Sequence, residues 1–103
     1  NFFGRVKFDT RQSELIEKTG VSEYQNLLIR ECSGGQLQKV LICRSLISGA
    51  NLIILDEPMD ALDQKSQIQI FEIFQKLAEK EGLSFFIITH NISDLWLSRF
   101  HYI

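Results

Sequence analysis

The chain has 103 residues, 45% hydrophobic and 23% charged, with a formal net charge of −2. That length suits one small domain near the lower limit for a self-sufficient core, and the composition is that of an ordinary globular protein. The charge leaves no electrostatic footprint for nucleic acid or an anionic membrane surface, and no apolar run approaches the roughly 18 residues that a membrane span needs.

The opening segment, NFFGRVKFDT, lacks the small-residue cleavage pattern that follows the apolar run of a signal peptide. Phe2, Phe3 and Phe8 read as core aromatics. Residues 11–31 are polar and helical in character, with Leu15, Ile16, Val21, Tyr24, Leu27 and Leu28 as apolar points. Gly20 is expected to break them into two short helices. Cys32 and Cys43 lack CxxC spacing or a histidine cluster, so reduced thiols are expected rather than a disulfide or a zinc site.

The stretch ECSGGQLQKVLICRSL poses the first functional question. Ser33 and Gln36 have the S-x-x-Q spacing of a capping box, so a helix is expected to start here and run to Ser48, with Gly49 closing it. Its inward positions are expected at Leu37, Val40, Leu41, Leu46 and Ile47. Gly34 and Gly35 carry the entropic cost of glycine at the first turn, where free N–H groups and a partial positive charge suit an anion such as phosphate. A capped helix with a flexible entry accounts for the same residues.

NLIILDEP reads as a fully buried strand that ends on two carboxylates, Asp56 and Glu57, with Pro58 marking the exit. Ligands of open α/β sheets gather at such strand ends, and neighbouring strand residues face opposite sides, so the two acids need not share a role. One suits magnesium and the other an attacking water; an acidic strand end meeting solvent is the plainer alternative. A helix is expected over Gln64 to Lys80, with Ile70, Ile73, Phe74, Leu77 and Ala78 inward, Glu72 and Lys76 as an exposed pair, and Gly82 as C-cap. SFFIIT is a second buried strand, followed by His90, a short helix near Asp94 to Ser98 and a third strand at HYI. Strand, crossover helix and strand imply a parallel sheet under helices, the α/β class. His101 is assigned no role.

Taken in order, S-G-G-Q, apolar-L-D-E-P, L-D and T-H resemble the nucleotide-binding domain of ABC ATPases, across nearly the whole chain. Ser33, Gly34, Gly35 and Gln36 match the signature motif, Leu52 to Asp56 the Walker B strand, Glu57 the catalytic glutamate, Ala61 to Asp63 the D-loop and His90 the switch histidine. Each motif alone is weak to moderate; four in order at fitting spacings are very specific. The resemblance implies part of a P-loop NTPase (RecA-like) core, with residues 1–32 as the remainder of the helical subdomain and 33–103 as the C-terminal half of the core. A P-loop, the Q-loop and the adenine-stacking aromatic are absent: no glycine is followed by lysine. The chain is therefore expected to be the C-terminal portion of a longer domain.

The resemblance further implies ATP and magnesium as ligands, with Asp56 on the metal, Glu57 and His90 catalytic, and Ser33, Gly34, Gly35, Gln36 and Asp63 at the nucleotide. In that family two domains assemble head to tail, so a partner domain's ATP would come against Gly34 and Gly35. The implied role is ATP hydrolysis that drives transmembrane transporter subunits, from the cytoplasmic face of the cell membrane. Glu57-Pro58 resembles importers, and SGGQLQKVLI with KLAEKEGLSFFIITHNISDL looks most like the peptide and nickel branch. No nucleic acid partner is expected. The alternatives are a soluble ABC-type ATPase acting on DNA or ribosomes, and a non-catalytic truncated domain. There are three departures from the family pattern: Cys32 for the usual Leu, Lys39 for the usual Arg, and Met59-Asp60 for a small or hydroxyl pair, which adds a carboxylate at the subunit interface.

Overall fold

A computed structural model describes residues 7–89. Helix α1 spans Thr10–Lys18, and Asp9 caps it: its carboxylate accepts from the Gln12 amide at 2.7 Å while Gln12 Oε1 accepts from the Asp9 amide at 3.0 Å. Gly20 turns the chain in the left-handed region at φ 81°. Two single 3₁₀ turns follow, Val21–Glu23 and Ile29–Glu31, where the sequence had suggested a second short helix. Helix α2 spans Gly34–Leu46, strand β1 Leu52–Asp56, helix α3 Gln64–Glu81 and strand β2 Ser84–Ile88.

β1 and β2 are parallel neighbours, with Leu52 opposite Ser84 and Asp56 opposite Ile88, as expected for two apolar strands joined through a helix. One sheet face, Ile53 and Leu55 with the partly covered Phe85 and Ile87, packs into a core with Ile42 and Leu46 of α2 and Ile70, Phe71, Ile73, Phe74 and Leu77 of α3. Phe74 stacks on Phe85 with ring centroids 4.6 Å apart. A second cluster gathers Ile16, Val21, Tyr24, Val40 and Cys43, so α2 is shared between the two. That sharing explains why its apolar residues run nearly all round the helix rather than along one stripe.

The inward residues differ from expectation at several points. On α3, Phe71 is fully buried at 0% exposure, whereas Ala78 is exposed. On α2, Ile42 and Cys43 are buried while Leu41 faces solvent. Strands this apolar call for cover on both faces, but the second face lies open, with Leu52, Ile54, Phe86 and Ile88 42–62% exposed. Both cysteines are free thiols, and burial pushes the Cys43 thiol up in pKa, against a lowering hydrogen bond from Thr19. α1 is tied to the rest at two places: Gln12 Nε2 donates to the Ile47 carbonyl at 3.0 Å, and Arg11 pairs with Glu81 at 2.6 Å. Phe2, Phe3, His90, the helix near Asp94 to Ser98 and the strand at HYI lie outside the described residues.

Candidate functional site

The N-terminus of α2 is built as its sequence suggests. Ser33, in extended conformation, accepts from the Gln36 amide at 3.0 Å, and Gln36 Oε1 accepts from the Ser33 amide at 2.9 Å. Both side chains are thereby engaged in local bonds, which leaves the N–H groups of Gly34 and Gly35 as the open donors of the first turn. The two glycines have different surroundings. A Cβ at Gly34 would meet only the Ala61 Cβ, at an ordinary 3.8 Å. A Cβ at Gly35 would stand 2.9 Å from the Ala61 carbonyl oxygen, a distance that real Cβ atoms do not show. What approaches Gly35 inside this chain is therefore the loop after β1, whereas no neighbour in the described residues explains Gly34.

That loop begins at the acid pair. Asp56 closes β1 on the same side as Leu52 and Ile54, and its side chain is exposed. Glu57 leaves the strand in the left-handed region, at φ 49°, and is the sole non-glycine residue with positive φ among the described residues. An L-residue there is strained, and such strain gathers where surrounding structure over-determines it. Among the bonds that hold it, the Glu57 amide donates to the Ile88 carbonyl at 2.8 Å, and the Thr89 hydroxyl donates to Glu57 Oε2 at 3.4 Å. The half-buried Glu57 carboxylate thus sits beside the residue that precedes His90, although His90 itself is outside the described residues.

Pro58, Met59 and Leu62 then turn their side chains into the core. Met59 is 4% exposed and acts as a core residue; Asp60 beside it, the added carboxylate, is exposed. Asp63 caps α3, accepting from the Ser66 amide at 2.8 Å. Its pKa is held below the usual carboxylate value by the Ser66 hydroxyl and amide, with smaller help from the charges of Lys39 and Lys65. Along this edge of the described region, Gly35 of the Ser33–Gln36 turn packs against Ala61, in the loop that runs from Asp56 and Glu57 to Asp63. Sequence reasoning missed Thr89 and Gln67, whose polar atoms bond to this loop.

Among the described residues no cluster of three or more His, Cys, Asp or Glu side chains could enclose a metal. A single exposed carboxylate such as Asp56 does fit magnesium, which keeps several waters and fills its octahedron with phosphate oxygens. No helix among the described residues is long and apolar enough to cross a membrane.

Comparison with known proteins bears on this edge. The family model "ABC transporter" matches residues 2–60. A zinc import ATP-binding protein of Acinetobacter baylyi is 34% identical over 81% of this chain and 32% of its own length. A lipoprotein-releasing system ATP-binding protein of Rhodospirillum rubrum is 39% identical over 85% of this chain and 39% of its own. A dimeric ATP-binding cassette in a post-hydrolysis state, bound to ADP and Pi, superposes with TM-score 0.71 and 28% identity, over 84% of this chain and 40% of that one. The chain spans about a third of the length of the curated relatives it matches. Relatives named for cargoes as different as zinc and lipoprotein single out no peptide and nickel branch.

Proposed function

The chain belongs to the ABC transporter family as part of an ATP-binding domain of the P-loop NTPase fold, and on that premise we propose that it supplies the acidic and histidine residues of one ATP-hydrolysing site and the signature turn of another. The observation that carries the reading is the contact of Gly35 with Ala61, which sets a glycine helix N-terminus against the loop that opens on Asp56 and Glu57.

In this reading residues 1–32 are the remainder of the helical subdomain and 33–103 the C-terminal half of the ATPase core, completed by a P-loop half. The amides of Gly34 and Gly35 bind the phosphates of ATP held by a second domain arranged head to tail. Ser33 and Gln36 fix the turn that presents those amides, and Asp63 holds the loop from the far side as cap of α3. Glu57 orients the attacking water and accepts its proton, a role helped by the tie of its backbone amide to the Ile88 carbonyl. Asp56 holds magnesium, which supplies charge neutralisation to the phosphates when bound. His90 keeps water and phosphate in line. Coupled to transmembrane subunits from the cytoplasmic face, such a unit drives transport, of importer type by the Glu57-Pro58 pair and the zinc import relative.

The test is ATP turnover and ATP-induced dimerisation in the protein that joins this chain to its P-loop half. Glu57→Gln should lower turnover by about 10²–10⁴-fold, the usual weight of a general base, and trap an ATP-bound dimer. Asp56→Asn should instead weaken the magnesium dependence and ATP binding itself. Parent-rate hydrolysis by Glu57→Gln would overturn the assignment.

A further inference from the structure

The loop between β1 and α3 is held by a side chain with no place in the site so far. Gln67, in the first turn of α3, donates from Nε2 to the Met59 and Leu62 carbonyls, each at 3.2 Å. The Leu62 amide in turn donates to the Met59 carbonyl at 3.1 Å, and the Asp60 amide to the Glu57 carbonyl at 3.5 Å. The buried Met59 and Leu62 side chains pin the same segment to the core. From the opposite side, the missing side chain of Gly35 lets the Ala61 carbonyl close against α2. Side chains of similar size lack this reach or chemistry: leucine has no donor, and glutamate would aim lone pairs at two carbonyls.

We propose that Gln67 is a positioning residue which, together with Gly35, splices the 57–63 loop to α3 on one side and to the first turn of α2 on the other. The backbone setting of Glu57 and the geometry of the α2 amides then change together within one chain. The meaning of that coupling for turnover rests on the proposed function, but the splice itself requires no nucleotide.

Residue-resolved amide hydrogen exchange on the purified protein, without nucleotide, tests it. Gln67→Leu should speed exchange of the Leu62 amide about tenfold, for the loss of two neutral hydrogen bonds. Exchange should also rise at Gln36 and Leu37, whose amides bond to Ser33, while the amides of α3 beyond Ile70 keep their protection. No change at Leu62, or a change there without one at Gln36 and Leu37, overturns the splice. If Gln67→Leu loses protection everywhere, the glycine pair decides: Gly35→Ala must speed exchange at Leu62 and Gly34→Ala must not, and equal behaviour overturns it. In ATP turnover, Gln67→Leu should lower kcat while keeping KM for ATP, and Gln67→Lys, which retains N–H donors, should recover part of the loss. Coupled exchange alongside parent-rate turnover by Glu57→Gln would sink the proposed function and leave the splice standing.

Discussion

At Glu57 the usual ranking of alanine over glycine should reverse. The residue stands at φ 49°, where an L-amino acid crowds its Cβ against the backbone at a cost of roughly 1–2 kcal/mol. Glycine avoids that cost, but its freer unfolded chain returns about 0.5–1 kcal/mol. The balance leaves Glu57→Gly more stable than Glu57→Ala by roughly 0.5–1 kcal/mol. Both variants delete the same carboxylate, so the 3.4 Å bond from Thr89 cancels from the comparison. Gly82 calibrates it. That C-cap of α3 lies at φ 69°, and a Cβ there would meet nothing within 4 Å, so Gly82→Ala isolates the backbone strain. Urea unfolding followed by circular dichroism gives the three differences, provided the slope with denaturant stays constant across variants. An alanine variant at 57 as stable as the glycine one, beside a Gly82→Ala that loses stability normally, would refute the strain.

The core residues that departed from expectation give a second contrast. Phe71→Ala should lose about 3–5 kcal/mol, the range for deleting a buried aromatic, whereas Leu41→Gln on the exposed side of α2 should stay within about 0.5 kcal/mol of the parent, both read from urea midpoints. Equal losses would reverse the assignment of faces. A third prediction concerns alkali. Burial, aided by the Cys32 and Cys43 thiols and Glu23, pushes Tyr24 up to about 12 from 10.0. A raised folded value means the protonated phenol favours the native state, so this contribution is complete below pH 10.0 and fades as pH climbs towards about 12. Tyr24→Phe should flatten that alkaline decline in urea midpoint, and an unchanged slope would count against it.

Much of the architecture was legible because its signals are local. The Ser33 and Gln36 capping box, the αL glycine after α3 and the two unbroken apolar strands each declare themselves within a few residues. The faces of α2 were not legible, since a helix wedged between two clusters has no single apolar stripe to read. Phe71 escaped for a related reason: it widens the α3 stripe by one position, which a strict i, i+3, i+4 template excludes. At the site, residue types and order single out Ser33 to Gln36, Asp56 and Glu57 as candidates. The left-handed turn at Glu57 and the two-carbonyl grip of Gln67 depend on where the chain goes after Pro58, and no spacing rule encodes that path.

The uncovered sheet face has a thermodynamic consequence. Heat capacity rises on unfolding because apolar surface becomes wet, by about 0.45 cal/mol/K for each Å² newly exposed. Leu52, Ile54, Phe86 and Ile88, together with Leu28, Ile29 and Leu41, are already 42–64% exposed in the folded chain, so each adds only about half of a buried residue's share on melting. This chain should therefore fall below the usual ~12–15 cal/mol/K per residue, and its stability should vary with temperature along a flatter dome than its length suggests. Covering that face by any partner would steepen the dome again, so calorimetry reads the state of the sheet without any nucleotide present.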